Sequence, residues 1–466
     1  MPDIYTAAGV HLNYVEDWDG GVSADSDPRT CNYTHFNLTT EQLGRTWRYN
    51  CWGFTFLPRR YWINSDTDVD NIIHDNCDPI PDGSVRVGDV IRYRDDSNIT
   101  THTGRVWQTD GAGHATLIRS KWGPWAEYIH LPLDVPNSYG TNLAYFRQKA
   151  PLIGVADLWI KDSPTDNGEQ FSGAPWWISP DILVDVPPYD GIPDANPVFD
   201  NPNRVWAVVR NRSNIQANNV YIRYYWADPA AGLSPADWHL IPGTAGHPNP
   251  AGPINIPGNS STEAPYVEWT PEAAPAHQCL LATASVNDDP KDSNNPDPLV
   301  YPFDIPWDNN IAQRNVHITE LKNGTSSDFA INVGSPFREI KRLKGSINAM
   351  LTYSHKLPII GLSEKKIFPL KIDLVLDKKQ KLPLKAWKGY LKEKRQARID
   401  NRFLCEKPIA SMISPELLLT PGKPHLLNVK ITVPSKVKVG SIYYLHIGQY
   451  ISNAVTGGYT FVIVIV

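Results

Sequence analysis

The sequence has few cysteines and no pairing pattern among them. Five cysteines are spread over 466 residues, and no two form a C-x-x-C pair. An odd, sparse set argues against a disulfide framework and against a cysteine-rich metal site. We therefore expect a chain made in a reducing compartment, the cytoplasm, with no metal and no other cofactor.

The chain also lacks long hydrophobic runs. Its start, M-P-D-I-Y-T-A-A-G-V-H, has no basic region followed by an apolar one, and no stretch of about 18 apolar residues occurs. These absences predict no Sec signal and no transmembrane segment. Export by a route without a cleavable signal stays open as an alternative.

One motif with metal-ligand spacing is incomplete. Asp66, Asp68 and Asp70 alternate as in a calcium-binding EF-hand loop. However, Asn71 stands where such a loop needs glycine, and Cys77 stands where it needs the bidentate glutamate. The sequence therefore excludes an EF-hand at this position.

Length and charge together indicate three domains. A single hydrophobic core rarely extends beyond about 250–300 residues, and the net charge changes sharply along this chain. It is −6 for residues 1–150, −14 for residues 151–312 and +15 for residues 313–466. We place the domain boundaries at these changes. The basic last segment predicts an anionic partner, either an anionic polymer or a membrane surface, with a solvated basic face as the alternative.

Strand patterns dominate the first segment. V-G-D-V-I-R-Y-R (87–94) and H-T-G-R-V-W-Q (102–108) flank a polar turn and predict a β-hairpin, and a third strand is expected at 115–121. The apolar stretch 51–57 fits two turns of helix or a strand, and its periodicity does not decide between them. The first segment is therefore predicted to be α+β.

The other two segments are predicted to be all-β. Short apolar or alternating runs at 205–211, 219–226 and 279–286 are separated by loops rich in proline, glycine and asparagine. The last segment repeats this pattern and ends with the apolar run Y-T-F-V-I-V-I-V. Short strands at this spacing predict two β-sandwiches, one over 151–312 and one over 313–466.

A cysteine and a histidine in the first segment have the order of a cysteine hydrolase. Cys51 lies in Y-N-C-W-G-F-T-F (49–56) at the start of the candidate helix, where N–H groups lower a thiol pKa. His102 begins a predicted strand about fifty residues later, and a base in that position can activate the thiol. We take Cys51 as the candidate nucleophile and His102 as the candidate general base.

These pieces resemble the NlpC-type cell-wall peptidases and amidases over about residues 45–130. The likeness lies in the Cys-x-Gly-Phe start, the Gly-Asp-Val strand and the His-x-Gly strand, in that order. It implies a papain-like fold and cleavage of an amide or isopeptide bond in a peptide or cell-wall-like substrate. Asn50 and Trp52 replace the family's usual Asp and Ser, so substrate preference is not carried over.

The third catalytic residue is left open among Ser120, His114 and His130. His114 lies twelve positions after His102, near the spacing usual in the family, and is expected in a turn, whereas Ser120 lies on the next predicted strand and His130 follows it. Three tryptophans are predicted to line the substrate cleft, namely Trp52, Trp122 and Trp125.

The middle segment resembles the Ig-like CARDB modules of adhesion proteins. The resemblance rests on V-W-A-V-V-R-N-R-S followed by A-N-N-V-Y-I-R-Y-Y-W-A, and it implies a spacer or binding module. The sequence therefore predicts a papain-like cysteine hydrolase carried on two Ig-like domains, used as a bacterial effector or toxin. The alternative is a non-catalytic binding or adhesion protein with an inactive papain-like domain.

Overall fold

The computed structural model describes most of the chain. The described residues are 3–16, 40–41, 49–57, 61–110, 112–125, 127–168, 175–194, 196–233, 237–272, 276–286, 309–335, 343–354, 370–377, 380–383, 385–386, 408–420, 422–451 and 454–466. The chain divides into two compact units. The N-terminal unit comprises Met1–Asp157, Asn211–Ala217 and Pro257–Ser260, and the C-terminal unit comprises Leu158–Arg210, Asn218–Ile256 and Ser261–Val466.

Two α-helices occur among the described residues of the N-terminal unit, and each begins at a side-chain cap. Helix α1 (Cys51–Phe56) is capped by Asn50, whose side chain accepts a hydrogen bond from the N–H of Gly53. Helix α2 (Asp66–Asn76) is capped by Ser65 in the same way. Caps of this kind satisfy N–H groups that have no partner within the helix. A short 3-10 helix spans Asn137–Tyr139.

Strands of the N-terminal unit form one large sheet and one two-stranded sheet. Their bounds are β1 Tyr14–Glu16, β2 Thr40–Glu41, β3 Tyr61–Ile63, β4 Cys77–Ile80, β5 Val90–Arg94, β6 Thr100–Thr109, β7 Ala115–Lys121, β8 Glu127–His130 and β9 Asn142–Gln148. The large sheet is antiparallel with the order β2-β8-β7-β6-β5-β9-β4, and β1 pairs with β3.

The large sheet has an apolar cluster on each face. One face packs against both helices, where Val90 and Phe146 lie with Phe56, Val69 and other side chains of α1 and α2. On the other face, Ile91, Tyr93, Val106 and Ile118 form a second cluster. Successive residues of a strand point to opposite faces, so the position of a residue along β6 decides which cluster it joins.

The first part of the C-terminal unit contains two sheets. Their strands are β10 Leu158–Trp159, β11 Ile182–Asp185, β12 Asn203–Asn211, β13 Ala217–Ala227, β14 His239–Leu240, β15 Ala251–Ile256, β16 Ser260–Glu263, β17 Val267–Trp269, β18 Cys279–Val286 and β19 Ile311–Arg314. One sheet has the order β10-β12-β11 with β16 and β17 on β12, and the other has the order β14-β13-β18-β19 with β15 on β13.

The rest of the unit adds a further pair of sheets. Their strands are β20 Val316–Leu321, β21 Ser326–Val333, β22 Leu343–Ser354, β23 Lys371–Leu376, β24 Gln380–Pro383, β25 Lys385–Ala386, β26 Pro408–Ile413, β27 Leu417–Leu419, β28 His425–Thr432, β29 Ile442–Ile451 and β30 Ala454–Ile465. The orders are β20-β30-β29-β22-β26-β25, with β27 on β22, and β21-β28-β23-β24. Strand β20 runs parallel to β30.

The β-rich prediction is confirmed for both units. Strand β7 and strand β18 have the predicted bounds, and the run Y-T-F-V-I-V-I-V lies within β30 except for its last residue, Val466. The ambiguous stretch at Cys51 is a helix because Asn50 caps it. The papain-like and Ig-like assignments, and the division of the chain into three domains, remain predictions. Residues on both sides of 313 share one apolar cluster, which joins Leu281 and Ile311 to Ile347 and Phe461.

Candidate functional site

Cys51 lies at the first position of α1 but is buried. Its exposed fraction is 6%, and burial raises the pKa of the thiol to about 12, although N–H groups of Thr103 and Trp52 act in the opposite direction. Helix α1 has only six residues, and its N-terminus does not offset the loss of solvation. Cys51 is therefore a protonated thiol near neutral pH.

Strand β6 presents Thr103 and Arg105 to helix α1. The Thr103 hydroxyl donates a 2.9 Å hydrogen bond to Thr55 Oγ1, and Arg105 donates through Nε to the Thr55 carbonyl at 3.1 Å. The cross-strand partner of Thr103 is Arg92, on the same face of β5. The odd-numbered residues of this part of β6 therefore hold α1 against the sheet.

His102 projects from the opposite face of β6. Its cross-strand partner is Tyr93, and its ring stacks on Tyr139 with centroids 4.0 Å apart and planes 8° apart. Strand alternation thus separates His102 from Cys51, which lies on the side of Thr103. Helix α1, which carries Cys51, packs on the face of β6 to which Thr103 points, and the His102 side chain points to the other face.

The His102 imidazole is fully buried. Its exposed fraction is 0%, and neither ring nitrogen has a hydrogen-bond partner among the described residues. Burial, and secondarily His130, holds the pKa of His102 well below its usual value. A neutral imidazole in this setting is an aromatic packing group between Tyr93 and Tyr139.

Ser120 and His130 meet each other on this same face. The Trp122 indole donates a 3.0 Å hydrogen bond to Ser120 Oγ, and Ser120 Oγ lies 2.8 Å from His130 Nε2. His130 Nδ1 lies 2.8 Å from the carbonyl oxygen of Leu131. Because a carbonyl only accepts, Nδ1 carries the proton and Ser120 donates to Nε2. Burial lowers the pKa of His130 to about 4.

His114 is placed away from these groups. It lies before β7 in the turn that leads from β6, and its Nδ1 is 2.8 Å from Asp82 Oδ1. About half of its side chain is exposed, and the carboxylate of Asp82 raises the pKa of His114. Among the three candidates, the structure therefore joins Ser120 to His130 and leaves His114 on the surface.

The three predicted cleft tryptophans do not share one wall. Trp52 packs with the cluster beneath α1 and α2. Trp122 is buried against Tyr128, and Trp125 packs beside them. Trp122 also contributes its indole N–H to the serine and histidine pair, so this ring is a structural member of the core.

Sequence reasoning missed a buried charge network on the α1 face. Arg119 forms a salt bridge of 2.7 Å with Glu127, and the Tyr49 hydroxyl donates to the same carboxylate at 2.8 Å. Burial lowers the pKa of Lys121 to about 7, against the opposing effects of Glu127 and Cys51. The signal in the sequence was the alternation R-S-K at 119–121, which places two cations on one face of a strand.

Metal-binding and membrane-spanning features are absent from the described ranges. They contain no group of three or more His, Cys, Asp or Glu residues placed to hold a metal ion. Asp66, Asp68 and Asp70 lie on α2. Likewise, no helix within those ranges is long and apolar enough to cross a membrane. Cys31 and Cys405 lie outside the described residues.

Comparisons with known proteins show only weak likenesses. No family model matches the sequence, and no curated protein matches it. The N-terminal domain of PorA is similar at 7% identity and a TM-score of 0.17, with 32% of this chain and 87% of that chain covered. The red sea bream transglutaminase is similar at 8% identity and a TM-score of 0.15, with 80% of this chain and 40% of that chain covered. The CupB6 tip adhesin from Pseudomonas aeruginosa is similar at 11% identity and a TM-score of 0.13, with 61% of this chain and 99% of that chain covered. Likenesses at these TM-scores carry no argument about the fold or the function of this chain.

Proposed function

We propose that this chain is a non-catalytic binding protein built from β-rich domains. One observation carries the proposal. Helix α1, which begins at Cys51, packs on one face of β6, and the His102 side chain points to the other face. A cysteine hydrolase needs its base within hydrogen-bond reach of the thiol, directly or through one water. Catalysis by this pair would require β6 to turn its two faces over. Thr103 and Arg105 would then lose their hydrogen bonds to Thr55 in α1.

The state of each candidate group supports the same proposal. The Cys51 thiol is protonated and the His102 imidazole is neutral and enclosed. Ser120 and His130 form a nucleophile-and-base pair in chemical type, but their exposed fractions are 0% and 1%. A substrate would have to displace the surrounding core to reach them. These side chains are better suited to stabilising the N-terminal unit.

The finer fold assignments belong to this proposal. The order of α1, the β5–β6 hairpin and β7 agrees with a degenerate NlpC-type papain-like domain over about residues 45–130. The paired sheets of the C-terminal unit agree with CARDB-like and Ig-like modules. In this scheme the N-terminal unit keeps a hydrolase-like scaffold and has lost the geometry of the reaction.

An anionic partner is the binding target that the charge distribution favours. Residues 313–466 carry a net charge of +15, whereas residues 151–312 carry −14. A basic segment attracts anionic polymers and lipid headgroups through the same long-range electrostatics. Several of its cations, including Lys392, Lys394 and Arg395, lie outside the described residues.

Thiol labelling tests the non-catalytic part of the proposal. In the native full chain, iodoacetamide should alkylate Cys51 more slowly than in the urea-unfolded chain, on the order of a hundredfold, because burial suppresses the thiolate. Peptide mapping locates the label, and Cys279, which is also buried, provides a matched thiol. Rapid native labelling of Cys51 that is lost in Cys51→Ser would restore the hydrolase.

Salt-dependent binding tests the partner. The full chain should bind vesicles of mixed phosphatidylserine and phosphatidylcholine, or polyphosphate, at low salt. Binding should weaken steeply as the Debye length shortens from about 30 Å to about 8 Å between 0.01 and 0.15 M salt. Replacing Lys392, Lys394 and Arg395 by Gln should reduce binding, whereas Lys149→Gln in the N-terminal unit should not. Absence of binding to both probes at low salt would refute the anionic partner.

A further inference from the structure

Two histidines of the C-terminal unit stack on each other within a column of aromatic rings. His277 precedes β18 and His317 lies on β20, and their ring centroids are 4.4 Å apart with planes 28° apart. Phe199 stacks on His277 at 5.1 Å, and Phe329 meets the ring of His317 at 4.7 Å. The column therefore joins a loop of the first pair of sheets to a strand of the second pair.

The hydrogen bond between the two residues requires a neutral His317 ring. The backbone N–H of His277 donates to Nδ1 of His317 at 3.3 Å. A nitrogen that accepts a hydrogen bond carries no proton, so His317 is held in the neutral form. Protonation at Nδ1 would set two N–H groups against each other. Nδ1 of His277 has no hydrogen-bond partner among the described residues.

The charged group that acts on His277 is a cation. Arg314, at the end of β19, is half-buried and donates to the carbonyl oxygens of Ile182 at 3.0 Å and Asp194 at 3.5 Å. It disfavours a second positive charge on His277. On His317, the corresponding influence comes from His277 itself.

Among the described residues, the groups that shift the pKa of His277 and His317 include no carboxylate. Tyr459 of β30 donates its hydroxyl to the His277 carbonyl at 2.6 Å. Burial raises the pKa of Tyr459 and of Cys279 on β18, so both stay neutral. Phe329 of β21 and Phe461 of β30 complete the walls around His317 with uncharged rings.

We propose that the stacked pair His277 and His317 is an acid-sensitive latch between the loop before β18 and strand β20. In the neutral state the stack, the backbone hydrogen bond and the Tyr459 contact hold the loop on the strand. Protonation removes the hydrogen bond and places two cations in contact beside Arg314. The loop then separates from β20 and exposes both rings to water, which solvates their charges.

The direction of the pH effect follows from the two ring environments. Burial, then Arg314, lowers the pKa of His277 to about 4, and burial, then His277, lowers that of His317 to about 3. The exposed rings of the open state bind protons below about 6.5. The open state therefore gains as pH falls from about 6.5 toward 4, by up to roughly tenfold per pH unit for each histidine. This latch does not depend on the proposed binding function.

Hydrogen exchange measured by mass spectrometry tests the latch in the full chain. Exchange of peptides covering 276–286 and 316–321 is followed from pH 7.5 to 4.5, with correction for the intrinsic rates. Protection of these peptides should fall at least tenfold between pH 6.5 and 4.5, whereas protection of 425–432 in β28 should be retained. Simultaneous loss in all three regions would indicate global acid unfolding and overturn the latch.

Two substitutions isolate the histidines. His277→Phe keeps an aromatic ring in the stack and sacrifices no hydrogen bond from the ring, and His317→Asn offers an oxygen in place of Nδ1. The double variant should keep its protection down to pH 4.5, and His317→Asn alone serves if the double variant does not fold at pH 7.5. His239→Asn, at an exposed position, should behave as the wild type. Equal acid sensitivity of His317→Asn and the wild type would overturn the proposal.

Discussion

Ser120 donates a hydrogen bond of 2.8 Å to Nε2 of His130 while its own oxygen accepts the indole N–H of Trp122. Each of these groups is almost completely buried. The pair therefore fixes the tautomer of His130 and satisfies the Trp122 indole inside the sheet. These two hydrogen bonds therefore have a structural role, and the three side chains Trp122, Ser120 and His130 are called the relay below.

Removing the centre of the relay should destabilise the N-terminal unit. Ser120→Ala leaves both Trp122 Nε1 and His130 Nε2 buried without that partner, and an unsatisfied buried group costs about 1–3 kcal/mol. We expect a loss of about 2 kcal/mol or more in the free energy of unfolding, measured by urea denaturation. The exposed Ser97→Ala is the control, and an equal, small effect of both substitutions would contradict the relay.

His102 should make the unit sensitive to acid. Its pKa lies well below the usual value because of burial, whereas the unfolded chain titrates near 6.5. Below that pH the unfolded state binds more protons, so stability falls by up to about 1.4 kcal/mol per pH unit. His102→Phe should preserve the stack on Tyr139 and remove this contribution. Urea denaturation at pH 7 and pH 5 measures it, and an unchanged difference between the two pH values would refute the prediction.

Lys121 should produce a pH dependence of the same sign above neutral pH. Burial lowers its pKa to about 7, and the unfolded chain holds the proton up to about 10.4. Above pH 7 the unfolded state therefore binds more protons, and stability rises with pH by up to about 1.4 kcal/mol per unit. Lys121→Met should flatten the curve between pH 7 and 8.5. The exposed Lys149→Met should leave its slope as in the wild type, and a steep slope in Lys121→Met would show that another group is responsible.

Gly104 should not tolerate a side chain. A Cβ at this position would lie 2.8 Å from the Arg119 carbonyl oxygen and 2.9 Å from Ser120 Cβ. Overpacking of this kind costs about 1–3 kcal/mol, so Gly104→Ala should lower the melting temperature of the N-terminal unit. Gly246 of the C-terminal unit faces open space, so Gly246→Ala should have little effect on the melting temperature of either unit. Equal melting temperatures for Gly104→Ala and the wild type would show that β7 shifts away at no cost.

Local pattern was sufficient to predict the strands but not the faces on which the candidate groups meet. The strands Ala115–Lys121 and Cys279–Val286 are visible in the sequence as short runs of strand-forming residues, although each strand buries residues of both faces. Helix α2 was missed, although Ser65 and the apolar residues Val69, Ile72 and Ile73 form its cap and its buried stripe.

Successive side chains of β6 point to opposite faces, toward helix α1 or away from it. The number of residues between two positions in the sequence does not reveal which face each side chain takes. A cysteine and a histidine fifty residues apart have the same order whether the histidine points toward or away from the helix. The register that pairs Tyr93 with His102 and Arg92 with Thr103 decides the matter, and it shifts between Tyr93 and Arg94, just beyond these pairs. The buried pair Arg119 and Glu127 is equally hidden, because charged residues are usually assigned to the surface.

The parallel pairing of β20 with β30 has a kinetic consequence. Val316 pairs with Thr460, and Leu321 pairs with Ile465, so the two strands of this ladder are separated by almost the whole intervening segment. Contacts of such long range are formed late, because the entropy of closing the loop must be overcome first. Until β20 pairs with the β29–β30 hairpin, the edges of β20 and β30 lie open beside an apolar surface. Folding of the C-terminal unit is therefore expected to be slow. Its partly folded forms should be prone to aggregation through their open strand edges, and chaperones should increase the yield of folded protein.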